Sequence, residues 1–312
     1  MIQSQGESKI VLVIRKTRLQ ELIQRFNTEQ QAQFYIEHLG ADFFDYQREH
    51  VQYQEQLQQT QTILNRLGRL QLLERGFISN YVFGPADIIV VLGQDGLVAN
   101  TLKYLNGQPV IGLNPDRTRW EGVLLPFTAV DLPRLIPEVI ANKRSWQELT
   151  MAEVQLNDGQ NLQAVNDFFI GPRSHTSAMY RIEINSQAEE HLSSGIIVST
   201  GLGSTGWLRS ILTGAAGIVQ SVTNIDVALD TRPMPWNSEQ LVFSVREPWP
   251  SRTSAATITF GQITSNNPLR IISHMPEHGV IFSDGIETDY LAFNSGSQAT
   301  IKPASQKGRL VV

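Results

Sequence analysis

The stretch Asp87-Ile88-Ile89-Val90-Val91-Leu92-Gly93-Gln94-Asp95-Gly96-Leu97 decides how this chain is read. Six residues from Asp87 run apolar into a glycine, Leu97 to Leu105 suits a helix, and Pro109-Val110-Ile111-Gly112-Leu113-Asn114 is a second short apolar run. Strand, glycine turn, helix, strand is the unit of a parallel sheet covered by helices, in which ligands lie outside the carboxyl ends of the strands. Gly93 to Gly96 falls at such an end. Two flexible glycines around one carboxylate let backbone amides approach an anion while Asp95 faces the same space, which suits phosphoryl transfer. A tight turn in which Asp95 bonds its own backbone is the competing reading, since there is no Walker-type lysine pattern.

Before this unit, Lys9 to Ile14 reads as a buried strand, and Thr28-Glu29 opens a helix that includes Ala32, Ile36 and Leu39 and closes on Gly40 as a left-handed cap. From about Glu49 the positions Tyr53, Leu57, Thr60, Leu64 and Leu67 recur at steps of four and three, drawing one seam along a helix that ends at Gly68, with the glutamines as its wet face. Asp131-Leu132-Pro133 starts a further short helix. Beyond Trp146 the texture changes to short strands separated by Gly, Pro, Asn and Ser: Val154 to Leu156, Gln163 to Val165, Tyr180 to Ile184, Ile196 to Ser199, Ile225 to Leu229, Leu241 to Val245, Thr257 to Phe260 and Leu269 to Ile272. The expected fold is therefore an α/β N-terminal domain, Rossmann-like with a parallel sheet, followed by a mostly-β C-terminal domain of stacked strands. The boundaries are 1–145 and 146–312, with room for the last residues to return to the first domain.

Composition narrows the function. The 312 residues are 41% hydrophobic and 18% charged, as in a globular protein, and the 25 lysines and arginines are scattered within a net charge of -5. Nucleic acid is thus not expected as a partner. Without cysteine there is no thiol catalysis and no cysteine-zinc site, and a reducing compartment, the cytoplasm, is the expectation. The N-terminus lacks the pattern of a secretory signal, and no run approaches the ~20 apolar residues of a membrane-spanning helix, so no membrane partner is expected. His274 and His278 stand four apart, but Pro276 and Gly279 argue against a helix, and no metal site is expected there.

Two further segments carry polar groups in unusual places. Asn166-Asp167 interrupts an apolar pattern before Phe168-Phe169-Ile170, as a turn or as a hold on a polar ligand. Ser199-Thr200-Gly201-Leu202-Gly203-Ser204-Thr205-Gly206-Trp207 runs from a strand into a glycine- and hydroxyl-rich loop and then a helix through Ile211, whose first turn would offer unpaired amides to a phosphate or ribose. Trp207 could as easily be core, and Arg246-Glu247-Pro248-Trp249 could be a salt-bridged strand end.

Taken together, these blocks resemble the NAD kinase family, which phosphorylates the adenosine ribose 2'-hydroxyl of NAD to make NADP. Gly93-Gln94-Asp95-Gly96-Leu97 is similar to the family's GGDGT, Asn166-Asp167 to its Asn-Glu motif, Thr200 to Trp207 to its glycine-rich Thr…GlySerThr loop, and Asp284-Gly285 to its later Asp-Gly turn. Ser193-Ser194-Gly195, Trp207 and Arg246-Glu247-Pro248 lean toward the divergent, mitochondrial-type members. The resemblance implies Asp95 as general base, Gly93 and Gly96 near the donor phosphates, Asn166 and Asp167 on ribose hydroxyls, and Ser204 with Thr205 on the dinucleotide. It implies ATP and Mg2+ as the other reactants and a homo-oligomer. Gln94 and Leu97 depart from the motif, placing a side chain where bare backbone approaches phosphate and removing a hydroxyl. A kinase of another hydroxyl substrate, lipid or sugar, and a non-catalytic nucleotide sensor are the alternatives.

Overall fold

The computed structural model describes residues 9–226, 229 and 232–312, which form two compact units: those up to 147 together with 309–312, and those from 148 to 308. The first unit contains β1 (Lys9–Ile14), α1 (Arg18–Phe26), α2 (Glu29–His38), α3 (Phe43–Leu67), β2 (Arg69–Glu74), β3 (Ile88–Leu92), α4 (Asp95–Leu102), β4 (Pro109–Leu113) and α5 (Leu132–Ile140). Its sheet is parallel in the order β2-β1-β3-β4, and Arg309 and Leu310 add a parallel segment beside Pro109 and Val110 of β4. All five residues of β3 are buried, which is why it reads as an unbroken apolar run. Tyr53 and Leu64 of α3, with Leu57 and Leu67 partly buried, pack on Leu12, Val90 and Ile111 and so fulfil the seam. That helix begins earlier than the periodicity suggests, at Phe43, because Asp42 accepts from the Phe44 amide as an N-cap. Thr28 caps α2 as expected, and Gly40 takes the left-handed conformation after it.

Because β2 lies on one side of β1 and β3 on the other, the chain reverses its winding direction between β1 and β3. That is the topological switch point, outside which open α/β sheets take their ligands. The turn after β3 opens directly onto it.

The second unit is antiparallel. Its strands are β5 (Trp146–Leu156), β6 (Asn161–Ala164), β7 (Asp167–Pro172), β8 (Ala178–Ile184), β9 (Gln187–Ser193), β10 (Ile196–Ser199), β11 (Leu241–Val245), β12 (Phe260–Ile263), β13 (Leu269–Ser273), β14 (Gly279–Ser283), β15 (Ile286–Ala292) and β16 (Gln298–Val311), with one long helix, α6 (Trp207–Thr223). One sheet runs β12-β11-β10-β7-β14-β15 and the other includes β16-β13-β8-β9 with β5 beside β16. Phe168, Ile170, Phe243 and Ile281 from the first meet Tyr180, Ile182, Ile271 and Ile301 from the second in a single core. The fold is thus α/β followed by stacked strands.

Some strands differ from expectation. The one expected over Thr257 to Phe260 starts only at Phe260, because Glu189 accepts from the Thr257 and Ile258 amides and takes them out of the ladder. The one expected over Ile225 to Leu229 lies partly outside the described residues. Ile225 and Asp226 follow the left-handed Asn224 that ends α6, and neither is in a strand. No helix among the described residues is long and apolar enough to cross a membrane.

Candidate functional site

In the first unit, Gly93 donates to Leu113 O and so continues the contact of β3 with β4 before the chain turns. Gln94 is the residue before α4; its carbonyl accepts from the Leu97 and Val98 amides while its side chain makes no cap. Asp95 therefore occupies the first helical position, half-buried, and Gly96 is exposed with open space around its Cα. One carboxylate oxygen of Asp95 accepts from the Leu124 amide at 2.7 Å, leaving the other free to face a reactant. The loop that delivers Leu124 depends on Gly112, where a Cβ would come within 2.0 Å of Leu124 O. It depends also on Asn114, which accepts from the Asp116 amide and donates to Trp120 O.

The two departures from the glycine motif have different structural consequences. Leu97 turns inward, 4% exposed, with a methyl carbon 2.8 Å from where a Cβ on Gly93 would stand, so its apolar side chain belongs to the core beneath the turn. Gln94 stays half-buried at the turn itself.

In the second unit, hydrogen bonds gather the remaining motif residues. Asp284, in a left-handed turn with Gly285, accepts from the amides of Val165, Asn166 and Asp167 at 3.1, 2.6 and 3.3 Å and donates its own amide to Asp167 O. Thr200 donates its hydroxyl to Val165 O at 2.6 Å and its amide to Asn166 O at 2.9 Å, while accepting from the Gly203 amide. Gly203 has to be glycine, because a Cβ would stand 2.0 Å from Asn166 O. The Asn166-Asp167 turn is thus clamped from both sides by backbone contacts. Its own two side chains receive no hydrogen bond from any described residue.

Burial, and then the nearby charge of Asp284, push the Asp167 carboxyl up to about 7. A carboxyl desolvated in this way and lacking a donor would gain from ligand hydroxyls. Ser204 is more fully committed: it donates to Gly201 O and accepts from the Met234 amide, leaving one lone pair, whereas Thr205 is exposed and donates only to Leu202 O. The Met234-Pro235-Trp236 segment, which packs on this loop so closely that a Cβ on Gly201 would meet Pro235 O at 2.0 Å, gave no recognisable signal in the sequence.

Trp207 is not core. It is 37% exposed and stacks on Phe169, ring centroids 6.0 Å apart, and Phe169 stacks in turn on Phe282. Arg246 lies over both the Phe169 and Trp207 rings, a cation–π arrangement in place of a salt-bridged strand end. His274 pairs with Glu190, and no group of three or more His, Cys, Asp or Glu able to hold a metal occurs among the described residues.

An ion-pair network in the first unit was also invisible in the sequence. Asp45 pairs with Arg18 and Arg119, which together hold its carboxyl well below the usual range, Arg119 most strongly, and Glu49 pairs with Arg15 and Arg18. Its members come from three segments far apart in the chain, with no local pattern to mark them.

No family model matches the chain. Among curated proteins it is 26% identical over 237 residues to a probable NADH kinase of Oryza sativa subsp. japonica, covering 68% of this chain and 67% of that protein. It is 32% identical over 173 residues to the NAD kinase of Heliobacterium modesticaldum and 30% over 130 residues to that of Chloroherpeton thalassium, spanning 58% and 45% of their lengths. The chain thus matches about half the length of these two bacterial relatives. Among solved structures, yeast NADH kinase complexed with NADH superposes with a TM-score of 0.55 at 17% identity, covering 99% of this chain and 84% of that one. An NAD kinase from Archaeoglobus fulgidus in complex with ATP gives 0.54 at 14% identity, covering 97% and 93%. These sequence relatives are named NAD or NADH kinases, and the two solved structures share the chain's fold.

Proposed function

We propose that the chain is an ATP-dependent NAD kinase. The observation that carries this reading is the clamped Asn166-Asp167 turn, held by Asp284 and Thr200 so that two polar side chains are left for a ligand, in a chain that also presents Asp95 at a glycine turn. In the reaction, Asp95 takes the proton from the adenosine ribose 2'-hydroxyl as the oxygen attacks the γ-phosphorus of ATP; the bond from that phosphorus to the β–γ bridging oxygen breaks and ADP leaves. Fixing one oxygen of Asp95 on Leu124 N orients the other, and such positioning is much of what phosphoryl transfer asks of a protein. Gly93 and Gly96 place the turn's amides near the donor phosphates. Asn166 and Asp167 hold ribose hydroxyls, and Ser204 and Thr205 contact the dinucleotide.

Mg2+, when bound with the donor, would supply positive charge against the phosphates. Mg2+ in such sites is held chiefly by phosphates and waters and needs no cage of protein ligands, so Asp95 would meet it only through a bound water, its second oxygen being kept for the proton. The lean to the mitochondrial-type branch and a homo-oligomer belong to the same proposal and rest on the family likeness, while a cytoplasmic location rests on the cysteine-free composition.

Purified protein incubated with Mg-ATP and NAD should yield NADP and ADP in equal amounts. Binding of NAD without turnover would support the sensor reading, and turnover of a lipid or sugar in place of NAD the other kinase reading.

A further inference from the structure

One residue of α3 reaches the switch point from below. Tyr53 is 2% exposed, and its hydroxyl accepts from the Arg15 amide at 3.1 Å and donates to Leu92 O at 3.1 Å. Arg15 is the residue after β1, and Leu92 is the last residue of β3, immediately before Gly93. The paired register of β1 with β3 ends at Val13 and Val91. Beyond it, two contacts of 3.1 Å through a phenol oxygen stand where one strand-to-strand bond of about 2.9 Å would otherwise close the pair. The hydroxyl is therefore a wedge, satisfying both backbone groups while holding the strands apart where the glycine turn begins.

The same helix grips Arg15 a second time. Glu49, one turn before Tyr53, accepts from the Arg15 guanidinium at 2.9 Å, and that guanidinium lies 5.3 Å from the Tyr53 ring centroid. The stem of Arg15 runs beside the turn, its Cδ 3.7 Å from where a Cβ on Gly93 would stand. The Arg15 Nε–H is buried with no partner among the described residues, so a cationic donor remains to be satisfied there.

We propose that Tyr53 is a positioning residue for the phosphoryl donor: by wedging Arg15 N–H from Leu92 C=O it sets the opening between β1 and β3, and with it the placement of the Gly93 to Gly96 amides and of the Arg15 side chain. This rests on the kinase reading only in naming the donor as ATP. Tyr53→Phe keeps the ring and its packing and removes the wedge. It is expected to raise the KM for ATP about tenfold and weaken binding of a non-hydrolysable ATP analogue by the same factor, with the KM for NAD within twofold of wild type. Tyr180→Phe, which removes another buried hydroxyl, the partner of Ser193, serves as the stability control; it should lower the melting temperature and leave the ATP dependence unchanged. The inference is overturned if Tyr53→Phe keeps wild-type affinity for the analogue, if both KM values rise together, if Tyr180→Phe shifts the ATP dependence equally, or if the wild type does not bind the analogue. If the wild type binds the analogue but makes no NADP, the kinase reading fails, and the affinity of Tyr53→Phe decides the inference alone.

Discussion

Replacing Asp167 with asparagine should make the protein more stable at neutral pH. The carboxyl moves from 3.8 to about 7 on folding, through its burial and the charge of Asp284. Between those values the native state binds the proton more tightly than the unfolded chain does, so this group's contribution is full below pH ~4 and is lost as pH rises toward 7. At ~1.4 kcal/mol per pH unit, the loss has a ceiling of about 4 kcal/mol by pH 8, lowered by whatever water the half-buried group retains. Asparagine has the same shape and no charge to desolvate. Urea unfolding of both proteins from pH 4 to 8 should therefore give similar stabilities at pH 4 and a difference that grows in favour of Asp167→Asn, saturating near pH 8. A flat difference, or one that grows in favour of the wild type, would refute the placement of Asp167 as a desolvated carboxyl without donors. Saturating NAD should narrow the gap, because ribose hydroxyls donating to the carboxylate would favour its ionised form.

Thr200→Val leaves Val165 O and the Gly203 amide unpaired in a buried turn and should cost roughly 2–4 kcal/mol in chemical denaturation. A milder loss would mean that water or a shift of the loop repairs it. Gly203→Ala puts a carbon 2.0 Å from Asn166 O, so the affinity for NAD, measured by calorimetry, should fall at least tenfold with the affinity for ATP unchanged. Gln94→Gly removes the side chain at the glycine turn and takes no cap hydrogen bond from the start of α4. It should lower the KM for ATP severalfold with little change in melting temperature, and a raised KM would show that Gln94 contributes to the site.

The sequence discloses those elements whose burial is uniform or periodic. The interior strand β3 and the seam on α3 were legible because every residue, or every third and fourth, faces the core. β2 was not, since five of its six residues are at least partly exposed, and β9, Gln187–Ser193, carries too many polar side chains to read as a strand. The site divides in the same way. Asp95, Asn166-Asp167 and the Thr200 loop are local patterns, whereas the cap on Asn166 comes from Asp284, 118 residues away, and the wedge on Arg15 from Tyr53, 38 residues away. Such contacts follow from strand order, which no short motif encodes. The inward turn of Leu97 was equally hidden, because a leucine in the first turn of a helix can face either the core or the ligand until the neighbouring strand is placed.

The proposed role of Asp95 as the general base of an NAD kinase is tested by the rate of NADP formation from Mg-ATP and NAD, measured for the wild type and for Asp95→Asn. Asparagine can still accept from Leu124 N, so the turn keeps its shape and only the proton acceptor is lost. The wild type should make NADP, and the variant should bind both substrates with near-normal affinity while turning over about 10²–10⁴-fold more slowly. Full activity in Asp95→Asn, or no NADP from the wild type, would show that Asp95 has no such role.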